Sequence, residues 1–376
     1  MNDLNTPISL VRPPLIEFGP GTASRLSGWI RARGLRKALV VADAFNARRI
    51  DTLQLGIETV VFGDVRPEPD LPNLEALIEM ADRSAADLVI GFGGGSAMDL
   101  AKLASVMTGT GQRLAELVGV GKAGKRKIAL AQVPTTSGTG SEAGTRALVT
   151  DPATQAKLAV ESMEMLADIA VIDPALTVTV PPAVTAATGV DAMAHCVEAY
   201  TSRKAHPLVD LYALEGIRLV GRYLARAVRD GSDIEARSGL SLASLYGGFC
   251  LGPVNTAGGH ALAYPLGTRW HIAHGAANAL IFPHVLAFNV PAAGDKTARI
   301  IEALGLGGAA NGRDVLKSTY DYCGSLGIEM RLSKLGVPES DLGVMADDAY
   351  AIRRLLDNNP RDLTREDILS IYRAAY

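Results

Sequence analysis

Histidine and carboxylate residues with metal-ligand spacing are concentrated in the second half of the chain, where all six histidines lie. Asp191 and His195 are four residues apart in a segment with helical periodicity, so both side chains project from one helix face and could hold the same ion. Such a pair also occurs on helix surfaces and around core histidines that are hydrogen-bonded within the protein. The spacing alone therefore leaves a metal site and a purely structural arrangement both open.

A second histidine-rich segment, residues 258–275, carries His260, His271 and His274 among four glycines and almost no charge. We expect these imidazoles to be buried, and each buried ring nitrogen needs a partner. A metal ion is one such partner, and backbone hydrogen bonds are the alternative. Imidazoles together with one carboxylate suit Fe²⁺ or Zn²⁺ better than Mg²⁺ or Ca²⁺, which prefer oxygen ligands. Such an ion would act as a Lewis acid that helps an alcohol to lose its proton and expel hydride.

A glycine-rich turn in the first half predicts an anion-binding site. Residues 86–102, ADLVIGFGGGSAMDLAK, place an apolar strand before Gly94, Gly95 and Ser96, and a helix that begins near Ala97. Glycines let backbone N–H groups approach a pyrophosphate, and the helix N-terminus adds partial positive charge. The alternative is a tight connection between strand and helix that binds no ligand. No Gly-Lys-Ser/Thr sequence follows, which disfavours hydrolysis of a nucleoside triphosphate.

Further polar residues follow two other apolar strands and favour a dinucleotide. The turn at 134–143, PTTSGTGSEA, offers Thr135, Thr136 and Thr139 as hydroxyl donors, and a second turn of this kind suits a ligand with two phosphates. Asp43 ends the strand KALVVAD, where a carboxylate can accept hydrogen bonds from an adenosine ribose and would repel a 2′-phosphate. NAD is therefore favoured over NADP. The alternative is that Asp43 only caps the turn that follows it.

Two kinds of secondary structure must position these residues. The first 180 residues alternate amphipathic helical segments, at 71–85 and 96–108, with apolar strand candidates at 37–43, 57–63, 86–93, 127–134 and 169–174. This pattern predicts a mainly parallel sheet with helices on both faces. After Pro181 and Pro182 the sequence is rich in alanine and leucine and is helical in its periodicity. We therefore expect an α/β domain over residues 1–180 and an all-helical domain over residues 181–376.

Length and composition are those expected of a cytoplasmic protein with two domains. A chain of 376 residues exceeds what one hydrophobic core usually supports. No apolar run is long enough to span a membrane and no secretory signal is recognisable, which predicts a cytoplasmic location. Three widely spaced cysteines predict neither a disulfide framework nor a CxxC metal site. The net charge of −3 and the lack of a long basic block argue against nucleic acid as a partner.

Taken in order along the chain, the motifs resemble those of the iron-containing alcohol dehydrogenases, also called group III alcohol dehydrogenases. The matching stretches are PPLIEFGPG, GGGSAMDLAK, PTTSGTGSE, VIDPALT, TGVDAMAHCVEAY and HGAANALIFPHV. The resemblance implies a dehydroquinate synthase-like fold with an N-terminal dinucleotide-binding domain and a C-terminal helical metal-binding domain. It also implies an NAD-linked dehydrogenase that contains Fe²⁺, or alternatively Zn²⁺, acts on a small alcohol, hydroxy acid or aldehyde, and forms homodimers or larger homo-oligomers.

The resemblance also implies roles for individual residues. The metal ligands would be Asp191, His195, His260 and His274. The cofactor-binding residues would be Gly94, Gly95, Ser96 and the nearby Asp99 at the pyrophosphate, Thr135, Thr136 and Thr139 through their hydroxyls, Lys157, and Asp43 at the ribose.

One position departs from the family pattern. Many members have a second histidine four residues after the third ligand, where it is implicated in proton transfer, and this chain has Tyr264 there. His271, three residues before the last ligand, is our candidate to relay the alcohol proton in its place. Arg269 lies between two predicted ligands and either binds an acidic end of the substrate or pairs with a surface carboxylate.

Two related activities and one non-enzymatic function are the alternatives. A maleylacetate reductase-like enzyme would act on an oxoacid without needing the metal, and the intact ligand set counts against it. A dehydroquinate synthase-like lyase would need several basic residues around a phosphorylated substrate, and the segments near the ligands supply mainly Arg269. A protein that only binds metal or nucleotide would not explain why both sites are complete.

Overall fold

The computed structural model describes residues 4–154, 156–307 and 311–376, and these form two compact units. The α/β unit comprises residues 11–136 and 140–178. The helical unit comprises residues 4–10, 137–139 and 179–376. Three residues of the polar turn after Thr136 therefore belong to the helical unit.

The α/β unit is built on a parallel sheet of six strands in the order β1-β9-β6-β4-β2-β3. The strands along the chain are β1 (Ile16–Phe18), β2 (Lys37–Val41), β3 (Glu58–Phe62), β4 (Leu88–Gly93), β5 (Gly119–Val120), β6 (Ala129–Pro134), β7 (Arg146–Asp151), β8 (Ala156–Glu161) and β9 (Ile169–Ile172). The helices of this unit are α1 (Leu26–Ala32), α2 (Ala44–Ala47), α3 (Leu71–Ser84), α4 (Gly95–Met107) and α5 (Leu114–Leu117). Short 3₁₀ helices lie at Thr22–Arg25, Ile50–Leu53, Ser141–Ala143, Met163–Met165 and Pro174–Thr177.

Both faces of this sheet are covered, which explains why its central strands are continuous apolar runs. In β4, Leu88 and Ile90 pack into the core on one face together with Ile30 of α1. Val89 packs into the core on the other face, together with Leu77 of α3 and residues of α4. The predicted strands at 37–43, 57–63, 86–93, 127–134 and 169–174 are all present, and the predicted α/β class is confirmed.

A second sheet of three strands, in the order β5-β8-β7, was not predicted. Strands β7 and β8 pair antiparallel, and β5 pairs parallel with β8. Both β7 and β8 begin or end with charged residues and are only partly buried. Their sequences therefore lack the apolar run by which the strands of the larger sheet were identified.

From Pro182 onward the described residues form helices and no strand, as predicted. The α-helices are α6 (Pro182–Thr201), α7 (Pro207–Arg229), α8 (Ile234–Leu251), α9 (Gly258–Trp270), α10 (His274–Ala303), α11 (Gly312–Ser325), α12 (Leu342–Ala351), α13 (Arg353–Leu356) and α14 (Arg365–Ala374). Two 3₁₀ helices lie at Leu332–Leu335 and Glu339–Asp341. Helix α6 packs against α7, α8 and α10, and helix α9 packs against α10 and α12.

Helix α10 is 30 residues long and is bent rather than straight. It contains Pro283 and Pro291, and at Ala293 the backbone leaves the helical conformation. Proline removes a backbone donor and bends a helix, which accounts for the irregularity. By length and composition α10 could cross a membrane, but 67% of its most apolar window is buried within the protein. The apolar character of α10 is thus used in the core of the helical unit.

Candidate functional site

Helix α6 carries Asp191 and His195 one turn apart on a buried face. Glycines allow the neighbouring helices α7 and α8 to pack closely against α6. A Cβ on Gly189 would lie 2.3 Å from Cδ1 of Leu224 in α7, and a Cβ on Gly247 of α8 would lie 3.2 Å from Cβ of His195. Gly247 therefore allows α8 to pack directly against the side chain of His195.

Three histidine nitrogens converge on one carboxylate oxygen. The Nε2 atoms of His195, His260 and His274 lie 3.9, 3.5 and 3.6 Å from Oδ1 of Asp191. His260 comes from α9, and His274 is the first residue of α10. One potential ligand atom from each of Asp191, His195 and His260 lies within 4.8 Å of the other two. The structure thus brings together the four residues that the sequence analysis named as ligands, although their role stays a prediction.

Two histidine nitrogens in this cluster, Nδ1 of His195 and Nε2 of His260, are buried without a hydrogen bond to the described residues. Nε2 of His260 is enclosed by protein and makes no hydrogen bond with any described residue. A buried polar atom with no partner costs free energy, whereas a metal ion would satisfy it. Three imidazole nitrogens and one carboxylate oxygen are a donor set suited to a divalent first-row transition metal. The residues present therefore fit a metal ion of that kind.

The charges within the cluster also favour a cation. Burial by itself would raise the pKa of the Asp191 carboxyl, but the imidazoles of His195, His274 and His260 hold that pKa far below its usual range. Burial would lower the pKa of His260, but the carboxylates of Glu198 and Asp191 outweigh it and raise that pKa to about 10. Burial lowers the pKa of His195 in spite of Asp191. Asp191 therefore stays ionised and presents a fixed negative charge.

Two polar residues that the sequence analysis missed complete the surroundings of the cluster. Glu198 accepts a hydrogen bond from Nδ1 of His260 at 3.1 Å. Asn278 donates to Oδ1 of Asp191 at 2.7 Å, and its Nδ2 lies 3.2 Å from Nε2 of His274. Glu198 follows His195 by three residues and Asn278 follows His274 by four, and this helical spacing is the signal that could have identified them.

The two residues considered for proton transfer lie in different environments. Tyr264 is buried in α9, and its ring centroid is 5.8 Å from that of His274. His271 is exposed at the C-terminal end of α9 in a left-handed conformation, and its imidazole makes no hydrogen bond, ion pair or ring contact with the described residues. Arg269 in the same helix forms an ion pair with Asp348. The surface pairing considered for Arg269 is therefore the arrangement observed.

The glycine-rich turn joins the end of β4 to the start of α4. Gly94 is the N-cap of this 13-residue helix and, as a glycine, has no side chain to cap the first backbone N–H groups. A Cβ on Gly93 would lie 2.8 Å from Cβ of Ala97, and one on Gly94 would lie 3.3 Å from Oγ1 of Thr136. The turn therefore presents bare backbone at a helix N-terminus, in the segment that also contains Gly95 and Ser96, as anion binding requires.

Asp43 lies at the same edge of the sheet as this turn, because β2 and β4 are parallel neighbours. Its Oδ1 accepts hydrogen bonds from the backbone N–H groups of Phe45 and Asn46, at 2.9 and 3.0 Å, and so caps α2. Nδ2 of Asn46 donates to Oδ2 of Asp43 at 2.6 Å and to Oγ1 of Thr135, at the end of β6, at 3.2 Å. The capping role considered for Asp43 is thus observed, and its contact with a ribose stays a prediction.

Three other residues named as cofactor contacts are engaged within the protein. Asp99 accepts a hydrogen bond from Oγ of Ser141 at 2.6 Å, and its other oxygen accepts a backbone N–H. Lys157 forms an ion pair with Glu68. Thr139 belongs to the helical unit, whereas Thr135 and Thr136 belong to the α/β unit. The observed contacts of Asp99 tie α4 to the segment that follows β6, and its role toward a cofactor stays a prediction.

Comparison with family models matches almost the whole chain. Residues 13–174 match the model described as iron-containing alcohol dehydrogenase. Residues 185–376 match the model described as the C-terminal part of the Fe-containing alcohol dehydrogenase family.

Individual relatives are similar to this chain in length and align with almost all of it. The chain is 38% identical to long-chain-alcohol dehydrogenase 1 of Geobacillus thermodenitrificans, over 98% of this chain and 96% of the relative. It is 30% identical to the NAD-dependent methanol dehydrogenase of Bacillus methanolicus, over 96% and 98%. The crystal structure of a 1,3-propanediol oxidoreductase is similar with a TM-score of 0.94 and 31% identity, covering 99% of this chain and 100% of that one. The sulfoacetaldehyde reductase of Bifidobacterium kashiwanohense in complex with NAD⁺ has a TM-score of 0.89 and 28% identity, with 99% of each chain covered.

Proposed function

Since the chain belongs to the iron-containing alcohol dehydrogenase family, we propose that its helical unit holds one Fe²⁺ ion and its α/β unit binds NAD. As a member of this family, the chain is an oxidoreductase that interconverts an alcohol and its aldehyde. The convergence of three histidine Nε2 atoms on Oδ1 of Asp191 carries the proposal for the metal. Zn²⁺ is the alternative ion, because the same donor set suits both.

The chain's own residues would bind, orient and enclose the reacting groups. When bound, the metal ion would polarise the alcohol oxygen, and the nicotinamide would take up the hydride. Asp191, His195, His260 and His274 would hold the ion, with Asp191 supplying its negative charge. All but His274 are buried, so bulk water has little access to this side of the ion. Low exposure strengthens the electrostatic attraction between the ligands and the cation.

For the cofactor, we propose that the backbone N–H groups of Gly94, Gly95 and Ser96 bind the pyrophosphate. The uncapped start of α4 supports this assignment. Thr135 and Thr136 directly follow β6, the strand that pairs with β4, and we propose that their hydroxyls bind the same ligand. NAD is preferred over NADP because the carboxylate of Asp43 stands at the edge of the sheet and would repel a 2′-phosphate.

We propose that His271 passes the alcohol proton to solvent. His271 is exposed at the end of α9, three residues before His274, and this exposure supports a role in releasing the proton to solvent. Tyr264 is the second candidate, because its ring lies beside that of His274. The variants His271→Ala and Tyr264→Phe separate the two: the residue that carries the proton should lose activity on substitution while the metal content stays at the wild-type level.

The substrate we propose is an uncharged primary alcohol or its aldehyde. Arg269, the basic residue nearest the ligands in sequence, is already paired with Asp348. Long-chain-alcohol dehydrogenase 1, at 38% identity, and the methanol dehydrogenase are named for uncharged alcohols, whereas the sulfoacetaldehyde reductase, at 28% identity, is named for an acidic aldehyde. A hydroxy acid would leave its carboxylate without a cationic partner from this segment.

Metal analysis combined with an activity assay tests the proposed function. Purified protein loaded with Fe²⁺ should contain about one ion per chain and should reduce short neutral aldehydes with NADH. Asp191→Ala should lose both the ion and the activity, whereas Asp321→Ala, a carboxylate elsewhere in the helical unit, should keep both. A metal-free wild-type protein with full activity would overturn the proposal.

We further propose that the enzyme works in the cytoplasm as a homodimer or larger homo-oligomer. Cys196, Cys250 and Cys323 are all buried free thiols, as expected in a reducing compartment. Light scattering of the purified protein measures the oligomeric state, and a monomer at micromolar concentration would contradict the proposal.

A further inference from the structure

The carboxylate of Glu198 is buried in α6 and is surrounded by N–H groups of α9. Its Oε1 accepts hydrogen bonds from the backbone N–H of His260 at 3.0 Å and from Nδ1 of the same residue at 3.1 Å. Its Oε2 accepts the backbone N–H of Ala257, the N-cap of α9. One carboxylate thus accepts hydrogen bonds both from the backbone at the start of α9 and from the imidazole of His260 in its first turn.

This close approach depends on a glycine. A Cβ on Gly259 would lie only 2.2 Å from Oε1 of Glu198, so a larger residue at that position would displace the carboxylate. Gly259, which has no side chain, therefore lies where α9 comes closest to Glu198 of α6. A charged carboxylate in a buried position is costly unless it is fully hydrogen-bonded, and here three N–H groups satisfy it.

The hydrogen bond to Nδ1 determines which nitrogen of His260 is available to a metal. An ionised Glu198 can only accept, so Nδ1 must carry a proton. A metal ion takes the place of any proton on Nε2, the atom that lies 3.5 Å from Oδ1 of Asp191, and binds its lone pair. The ring cannot flip without losing the hydrogen bond to Glu198.

We propose that Glu198 is a positioning residue that holds His260 with Nδ1 protonated and Nε2 directed at the metal, and thereby raises metal affinity. This inference rests on the proposed metal site. Because α6 also carries Asp191 and His195, the bond from Glu198 links two ligands on one helix to a third ligand on another. The effect of Glu198 is thus exerted through His260 and not by contact with the ion.

Metal affinity measured without turnover tests the inference. Metal-free wild type and Glu198→Gln are titrated with Zn²⁺ in competition with a chromophoric chelator. We expect Glu198→Gln to bind Zn²⁺ about 10- to 100-fold more weakly, since its amide presents an NH₂ group to N–H donors. Glu198→Asp keeps the carboxylate and should recover part of the affinity. Glu215→Gln, an exposed glutamate of α7, is the matched control and should bind as wild type does.

The outcomes separate this inference from the proposed function. Wild type that bound no Zn²⁺ would overturn both. Wild-type binding together with unchanged affinity in Glu198→Gln would overturn only the positioning role. A role limited to capping α9 predicts lower thermal stability of the metal-free variant with unchanged Zn²⁺ affinity, and that result would also overturn the inference.

A measurement on the wild-type protein does not depend on whether the Glu198 variants fold. In Zn²⁺-loaded protein with ¹⁵N-labelled histidine, the resonances of His260 should show a protonated Nδ1 and a metal-bound Nε2. His260→Gln identifies those resonances by their loss. A protonated Nε2 with Nδ1 bound to the ion would contradict the inference.

Discussion

The side-chain amide of Asn278 donates a 2.7 Å hydrogen bond to Oδ1 of Asp191, the carboxylate oxygen around which the histidine Nε2 atoms gather. Asn278 is almost completely buried, and it lies one helical turn after His274. The amide therefore restrains the orientation of the carboxylate relative to the three imidazoles.

Replacing Asn278 should weaken metal binding. Asn278→Ala removes the donor to Asp191, and loss of a residue that orients a ligand typically costs about tenfold or more in affinity. Metal retained after dialysis against a chelator measures the effect. Asn289→Ala is the matched control, because Asn289 is also a buried asparagine of α10 but bonds to Asn359. Equal retention in the two variants would show that Asn278 does not orient Asp191.

Asp43 should control the choice between NAD and NADP. Asp43→Ser keeps an oxygen that can cap α2 but removes the negative charge, so kcat/KM for NADP⁺ should rise on the order of tenfold relative to that for NAD⁺. Steady-state kinetics with both cofactors measure this ratio. Asp70→Ser makes the same change at the N-cap of α3 and should leave the ratio unchanged. An unchanged ratio in Asp43→Ser would remove this residue from cofactor recognition.

Gly91 in β4 and Gly94 directly after it should affect different properties, namely the stability of the protein and the binding of the cofactor. A Cβ on Gly91 would lie 2.2 Å from Oε1 of Gln132 and 3.0 Å from Cα of Met98, so Gly91→Ala should lower the free energy of unfolding by about 1–3 kcal/mol. On Gly94 the nearest atom is Oγ1 of Thr136 at 3.3 Å, so Gly94→Ala should be less destabilising but should weaken NADH binding. Denaturant unfolding and NADH fluorescence titration measure the two effects. The reverse pattern would contradict the assignment of Gly94 to the cofactor.

His284 should make the protein less stable in acid. Burial lowers its pKa from 6.5 to about 4. Arg313, Lys317 and Asp321 line the cavity beside it. As the pH falls from about 6.5 to about 4, the unfolded chain binds a proton there that the folded protein does not, so stability is lost over this range, by on the order of 3 kcal/mol. His284→Phe should show a smaller loss when unfolding is measured at several pH values. Parallel pH profiles for the variant and wild type would contradict this assignment.

The central strands of the large sheet were predictable from the sequence because they are buried on both faces. In β4 every residue from Leu88 to Gly93 is buried, and such a strand must be a continuous apolar run. The pair β7 and β8 was missed because the two short strands are only partly buried and have Arg146, Asp151 and Glu161 at their ends. Partly exposed strands tolerate charge, so their sequences resemble those of loops.

The sequence by itself determined the types of ligand and the local spacing that puts Asp191 with His195 on one turn of helix. It also determined the glycine-rich turn at the start of α4, because such features depend only on neighbouring residues. Tertiary structure decided that Glu198 binds His260, 62 residues away, and that Arg269 is paired with Asp348. Contacts between distant residues depend on how whole helices pack, and the hydrophobic burial that drives this packing has no direction that a local pattern could reveal.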